Sequence, residues 1–257
     1  MAVPTYPLAR PPAGLDVHVL PVERVNQAIL FSQLRTAELI EPDGTLIDVA
    51  LVPDLADGGW RIRWGYGTIG SLPAEARQAY PGIDHVTASH QQAGTCARVC
   101  VDREAGRLVV TIELPDPALI LPRNQLPGHR VLPQGEPVLV DAAEPDGQYL
   151  VTVSGADVLL DDRVIATLSP ADAGRVLGRT AGVDRPAVRL FSLGETAFLD
   201  LGPGDPVTLP ELPPLPEPEP EVTPGAWAVT MPAEELAEPA PAGSTPLPGP
   251  PPVPVID

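Results

Sequence analysis

The chain has 257 residues, 34 Asp and Glu against 16 Lys and Arg, and a formal net charge of −18. That length allows one or two domains with a sizeable core, while the charge repels phosphate at long range and disfavours non-specific nucleic-acid binding and anionic membrane surfaces. All sixteen basic residues are Arg, a bias expected of a GC-rich bacterial genome. No apolar run approaches the ~18 residues that span a bilayer, the opening MAVPTYPLARPPAGL lacks the basic and apolar blocks of a secretory signal, and two cysteines supply no disulfide framework. The expected compartment is the cytoplasm.

Residues 1–14 hold four prolines and read as an extended arm. Leu15–Val22 alternates as a first strand with Val17 and Val19 on one face, and Pro21 sets it at a sheet edge or ends it there. Arg24–Leu39 suits a short helix through Val25, Ala28, Ile29 and Phe31, although AILF alone also fits a buried strand. Glu41-Pro42-Asp43-Gly44 signals a turn before the strand TLIDVALV, and Glu144-Pro145-Asp146-Gly147 repeats those four residues before QYLVTVSG. Asp57-Gly58-Gly59 reads as a hairpin turn into Trp60–Tyr66, and Leu160-Asp161-Asp162 as its counterpart ahead of RVIATL.

Thr68–Ile83 reads as the end of a strand, a Gly70 turn and a short helix opened by Pro73 and Glu75 and closed by Pro81-Gly82. VIATLSPADAGRVLG near residue 165 repeats it: Ile165 answers Ile69, Leu168 answers Leu72, and Pro170, Asp172 and Ala173 answer Pro73, Glu75 and Ala76. Two further strands follow each helix, CARVCV and RLVVTIEL in one half, AVRLFSL and TAFLDL in the other. The expected fold is mainly β with short helices (α+β): two tandem small β-barrel-like modules at 15–115 and 138–202, joined by a Pro-rich linker at 116–137. Residues 203–257, with 18 prolines and nine acids, read as a disordered acidic tail.

At Ile69-Gly70-Ser71-Leu72, followed by the Ala74–Tyr80 helix and the strands Gly94–Val101 and Arg107–Leu114, the chain resembles the HIRAN domain, a small β-barrel found beside helicase-type motors and alone in bacterial proteins. The resemblance covers residues 38–115 and, more faintly, 138–202. It implies a β-barrel module and, from helicase-linked members, binding of the 3′ end of single-stranded DNA. The Asn-Pro-x-Asp-x-x-Ala segment that helps form that pocket has no counterpart in ADGGWRIRWGYG.

In a strand, Trp60, Ile62, Trp64 and Tyr66 point one way and Arg61 and Arg63 the other. Two readings stand: an apolar face filling a barrel core with both arginines solvated, or a stacking platform for bases or a partner side chain. The exposure of Trp64 separates them. His85, His90, Cys96 and Cys100 lie close in sequence, but Cys96 and Cys100 are four apart on a strand, about 13 Å, too far to share a metal or a disulfide. They read as small core residues, with His85 and His90 in a loop, and no metal or cofactor is expected. Ser89-His90 adjacency is not a catalytic triad, and no nucleophile elbow or phosphate-cradling loop occurs, so no catalytic residue is assigned. In the tail, LPPLPEPEPE favours polyproline II, and Trp227, Val229 and Met231 read either as an apolar anchor for a partner or as part of a flexible spacer. The resulting expectation is a non-enzymatic binding or adaptor protein with a protein partner; recognition of single-stranded nucleic-acid ends by the first module is the alternative. The sequence leaves the oligomeric state open.

Overall fold

The computed structural model describes residues 3–35, 37, 41 and 43–213. Among the described residues, fourteen strands and four α-helices build two seven-stranded sheets, each curled into a half-barrel, within one compact unit.

The first half runs β1 (Thr5–Pro7), β2 (His18–Pro21), α1 (Gln27–Gln33), β3 (Thr45–Pro53), β4 (Trp60–Trp64), β5 (Gly67–Leu72), α2 (Ala74–Ala79), α3 (Pro81–Ala88), β6 (Gln92–Asp102) and β7 (Arg107–Leu114). The second runs β8 (Arg130–Val131), β9 (Glu136–Val140), β10 (Gly147–Ser154), β11 (Asp157–Leu160), β12 (Arg163–Thr167), α4 (Pro170–Thr180), β13 (Pro186–Leu193) and β14 (Thr196–Leu201). Strand order is β2-β7-β6-β3-β4-β5 in one sheet and β9-β14-β13-β10-β11-β12 in the other. Off these paths β1 pairs in parallel with β6, and β8 in parallel with β13. Every strand thus has its counterpart seven places on, and the tandem repeat read from the sequence is a repeat of topology.

Period-two patterning places the cores. Ile47, Val49 and Leu51 of β3 and Leu108, Val110, Ile112 and Leu114 of β7 are buried, while Asp48 and Arg107 between or beside them face out. In α4, Ser169 caps the N-terminus by accepting from Asp172 N, Pro170 takes the first turn, and Ala173 and Val176 face inward. The edge reading of Pro21 holds, since β2 pairs only with β7 and ends at that residue; its Val17 and Val19 flank are solvent-exposed. Helix α1 is shorter than the 24–39 window, starting after Asn26, whose side chain accepts from Ile29 N.

Several expectations shift. Pro81 does not close the first helix: it opens α3 as that helix's first residue, which puts His85 on a helix instead of in a loop. The hairpins correspond one place away from the expected match. The Asp161-Asp162 turn joins β11 to β12 and answers Gly65-Tyr66, whereas Asp57–Gly59 is answered by Gly155-Ala156. The two four-residue turn words are also displaced. Asp48 pairs with Cys96 and Leu150 with Arg189, while Gly94 O and Ala187 O accept from Leu8 N and Leu132 N. Asp48, Gly94 and Cys96 therefore answer Leu150, Ala187 and Arg189, and Gly44 answers Asp146, one residue short of Gly147.

Residues 3–12 are extended but integrated: Tyr6, Leu8 and Ala9 are buried, and β1 lies in the first sheet. The 116–137 segment carries buried Leu119, Ile120, Leu121, Val131 and Leu132 and supplies β8 and the start of β9, so the second half begins at Arg130. Ala9 and Leu119 pack with Phe191 and Phe198 between the halves. Val207 pairs with Val131, and Leu209 and Leu212 lie against the cores, so 203–213 belongs with the folded unit. Beyond Pro213, the tail expected to be disordered lies outside the described residues.

Gly70 shows why the strand-to-helix junction needs its glycine. The stretch entering α1 crosses over β5, with Glu23 bridged to Ser71 and Asn26 N donating to Ile69 O. A Cβ at Gly70 would lie 2.4 Å from Val22 Cγ1 and 2.7 Å from Glu23 O. In the second half the β9–β10 connection is short and carries no helix, and Ala166 occupies the corresponding place.

Candidate functional site

The Trp60–Tyr66 stretch divides between the two readings. Trp60 and Ile62 are fully buried in the first core. Trp64, at the end of β4, is half-buried against that core, and its strand partner is Gly67. The strand stops there, so Gly65 and Tyr66 form the two-residue loop to β5, and Tyr66 leaves the predicted common face to stand 63% exposed. Its ring meets that of Trp64 edge-on at 4.8 Å. The buried reading thus holds for Trp60 and Ile62, and an accessible aromatic pair remains at Trp64 and Tyr66.

The arginines divide as well. Arg61 is not simply solvated: its Nε and Nη2 donate to Asp54 Oδ2 and Oδ1 at 3.0 and 2.9 Å. Those bonds, with that from Ala56 N, hold the Asp54 carboxyl down to about 2. Arg63 projects from the outer face of β4, exposed, and makes no ion pair among the described residues.

Arg63 and Trp64 border a groove of about 540 Å³ on the outer face of the first sheet, together with Arg10, Asp48, Gly94 and Cys96. Three strands set its floor. Outward positions of β3 and β6 meet there, since Asp48 pairs with Cys96 and Ala50 with Gly94. Gly94 keeps the floor low and lets β1 approach, because a Cβ there would lie 2.5 Å from Thr5 Cγ2. Arg10 arrives from the arm, pinned by main-chain bonds to Gln134 (N to Oε1 2.8 Å, O from Nε2 2.9 Å). Its guanidinium, like that of Arg63, has no carboxylate partner among the described residues. Cys96 Sγ donates to Asp48 Oδ1 at 3.5 Å. Burial first, and Asp48 with it, push that thiol up against the opposing pull of Arg10, which disfavours a nucleophilic thiolate.

The His/Cys set does not assemble. His85 Nε2 contacts Pro213 O at 2.7 Å, His90 sits in a turn at φ 60°, and both cysteines are free and partly exposed on β6, not core residues. Among the described residues no group of three or more His, Cys, Asp or Glu could hold a metal ion, and no helix is long and apolar enough to cross a membrane. Trp227, Val229 and Met231 lie outside the described residues.

Arg10, Asp48 and Gly94 escaped the sequence reading. Asp48 carried a usable signal, an acid within the alternating TLIDVALV strand. Arg10 carried none, because its place depends on the arm pairing with a strand more than eighty residues away.

No family model matches this chain, and no curated protein or solved structure is significantly similar to it.

Proposed function

We propose that this chain is a non-enzymatic binding protein that engages a protein partner through the outer face of its first module, with Trp227, Val229 and Met231 of the tail as a second contact. The observation that carries this reading is the groove itself. Two guanidiniums without carboxylate partners among the described residues and the half-buried Trp64, whose ring meets that of Tyr66, border one depression on a chain of net charge −18. Tryptophan, tyrosine and arginine are the side chains that dominate protein interfaces, because they offer large contact area and directed hydrogen bonds at modest entropic cost.

A second reading draws support from the same residues. Arginine beside an aromatic pair suits a stacked base and its phosphate, and the HIRAN resemblance at Ile69–Leu72 would assign the module to the ends of single strands.

Capture from native lysate separates the two. The baits are the full chain, a chain ending at Pro213, and full-length Arg63→Ala and Trp64→Ala variants, each with and without nuclease. Ending at Pro213 keeps Val207, Leu209 and Leu212 seated on the folded unit. A nuclease-resistant partner, weakened by either groove substitution and by tail removal, supports the proposal. Nuclease-sensitive material whose retention falls steeply with salt supports the second reading. Identical capture by all baits refutes both.

A further inference from the structure

The repeat supplies an internal comparison for the groove. Its floor residues Asp48, Gly94 and Cys96 answer Leu150, Ala187 and Arg189 in the second half, and Pro7 answers Val131. There the same outer face is closed, with Arg189 buried among mainly apolar side chains. Val131, Leu150 and Ala187 are buried, with Leu126 and Leu209 packed over them. What closes it includes an extended stretch of the chain itself, 207–213. Val207 exchanges two main-chain hydrogen bonds with Val131, at 2.8 and 2.9 Å, and Leu209 lies on the face. Glu211 O then accepts from Gln91 Nε2 at 2.9 Å, and Pro213 O reaches His85. The second module therefore holds the stretch from Val207 to Leu209 against the face that the first leaves open, and the chain then passes on to Gln91 and His85 of the first half.

Resting on the protein-partner reading above, we infer that the open groove of the first module takes an extended acidic peptide, laid over β6 and β3 where Leu209 lies over the corresponding face of the second module. The differences between the faces set the chemistry. Where the closed face offers Leu150 and Ala187 to a leucine, the open one offers the Arg10 and Arg63 guanidiniums, which call for carboxylates on the ligand. Trp64 at one end accepts a proline or another apolar residue. Strand addition contributes little, because Pro7 stands where Val131 makes its two main-chain bonds and has no N–H to give. Binding therefore depends on ligand side-chain charge more than on backbone pairing. Asp48 faces the same floor and disfavours a carboxylate directly over Cys96, which steers acids toward the two arginines.

The test is fluorescence anisotropy on the full-length protein with three labelled probes: the peptide Leu-Pro-Glu-Leu-Pro-Glu, its Gln-for-Glu counterpart, and a decamer of deoxythymidine. The Glu peptide should bind, and its Gln counterpart about tenfold or more weakly. Arg10→Ala and Arg63→Ala should each weaken the Glu peptide by a similar factor, Trp64→Ala should also weaken it, and Arg103→Ala, on an exposed hairpin away from the groove, should leave it unchanged. Circular dichroism melts of the variants verify that the fold is intact. Equal binding of Glu and Gln peptides, indifference to both arginines, or no binding of the Glu peptide overturns the inference. So does groove-dependent binding of the oligonucleotide alone, which transfers the site to the nucleic-acid reading. If the peptides fail while lysate capture of a nuclease-resistant partner still requires Arg63, the protein-partner reading survives and the extended acidic peptide does not.

Discussion

Trp60 provides the sharpest test of how strand β4 divides between core and surface. Its side chain is fully buried in the first core, and its Nε1 has no hydrogen-bond partner among the described residues. Truncation to alanine removes the whole indole and leaves a cavity, a change that costs about 3–5 kcal/mol in well-packed cores. For a folded unit of this size each kcal/mol corresponds to roughly 2–4 °C, so Trp60→Ala should melt about 6–20 °C below wild type. Trp60→Phe behaves differently. It forfeits part of the ring contact but also removes a buried N–H whose missing bond costs about 1–3 kcal/mol, so the net loss should be about 1 kcal/mol or less. Urea unfolding followed by far-ultraviolet circular dichroism measures both without relying on the fluorescence of the mutated residue. A Trp60→Ala loss under about 1 kcal/mol would remove Trp60 from the core. A Phe variant as damaged as the Ala variant would mean that the indole N–H is satisfied in solution.

Three further outcomes follow from the geometry. Asp54 is held at a folded pKa of about 2, below its unfolded value of about 3.9. Its contribution is therefore complete above about pH 4 and lost as pH falls toward 2, and Asp54→Asn should flatten that part of the urea-midpoint profile. Gly70→Ala drives a Cβ to 2.4 Å from Val22 Cγ1 and should cost about 1–3 kcal/mol by overpacking, whereas Ala166→Gly, which removes one buried methyl at the corresponding place, should cost about 1 kcal/mol or less in the same assay. Tyr80, whose hydroxyl donates to Pro115 O at 2.9 Å and contacts His18 Nδ1 at 2.8 Å, should lose about 1 kcal/mol or slightly more as Tyr80→Phe, because the buried carbonyl keeps no replacement donor.

What was legible in the sequence was what local patterning encodes. Alternation in TLIDVALV and RLVVTIEL marked β3 and β7, and Ser169-Pro170 marked the start of α4, because a strand's two faces and a helix's first turn are decided within a few residues. The tandem repeat showed through for the same reason. The misreadings are long-range. Matching Asp161-Asp162 to Asp57–Gly59 put a hairpin out of step, since a turn's composition does not say which strands it joins. The parallel pairings of β1 with β6 and β8 with β13 involve only two or three residues each and left no periodic trace. They are nevertheless what brings Arg10 to the groove and turns the 116–137 segment into core. Asp161 and Asp162, read as a turn, do adopt positive φ, 48° and 64°, and fit the short β11–β12 loop.

The two halves show how one strand topology is put to opposite uses when its outward residues change. In the second sheet the outward positions of β13 and β14 include Phe191 and Phe198, which pair with each other and are buried under Ala9 and Leu119. In the first sheet the corresponding pair is Arg98 and Thr111, and Arg98 makes a two-point pair with Glu113 instead, at 2.5 and 3.1 Å. An apolar outer face must be covered in water, and the second module recruits the arm, the linker and residues 207–213 to do so. A polar outer face carries no such requirement and stays accessible. Cover and opening are thus linked: the segments that close the second face include the arm that delivers Arg10 to the edge of the first. Substitutions that loosen Ala9 or Leu119 from Phe191 should therefore weaken binding at a groove they do not touch, and a groove-binding ligand should raise the melting temperature of such variants more than that of wild type if it re-seats the arm.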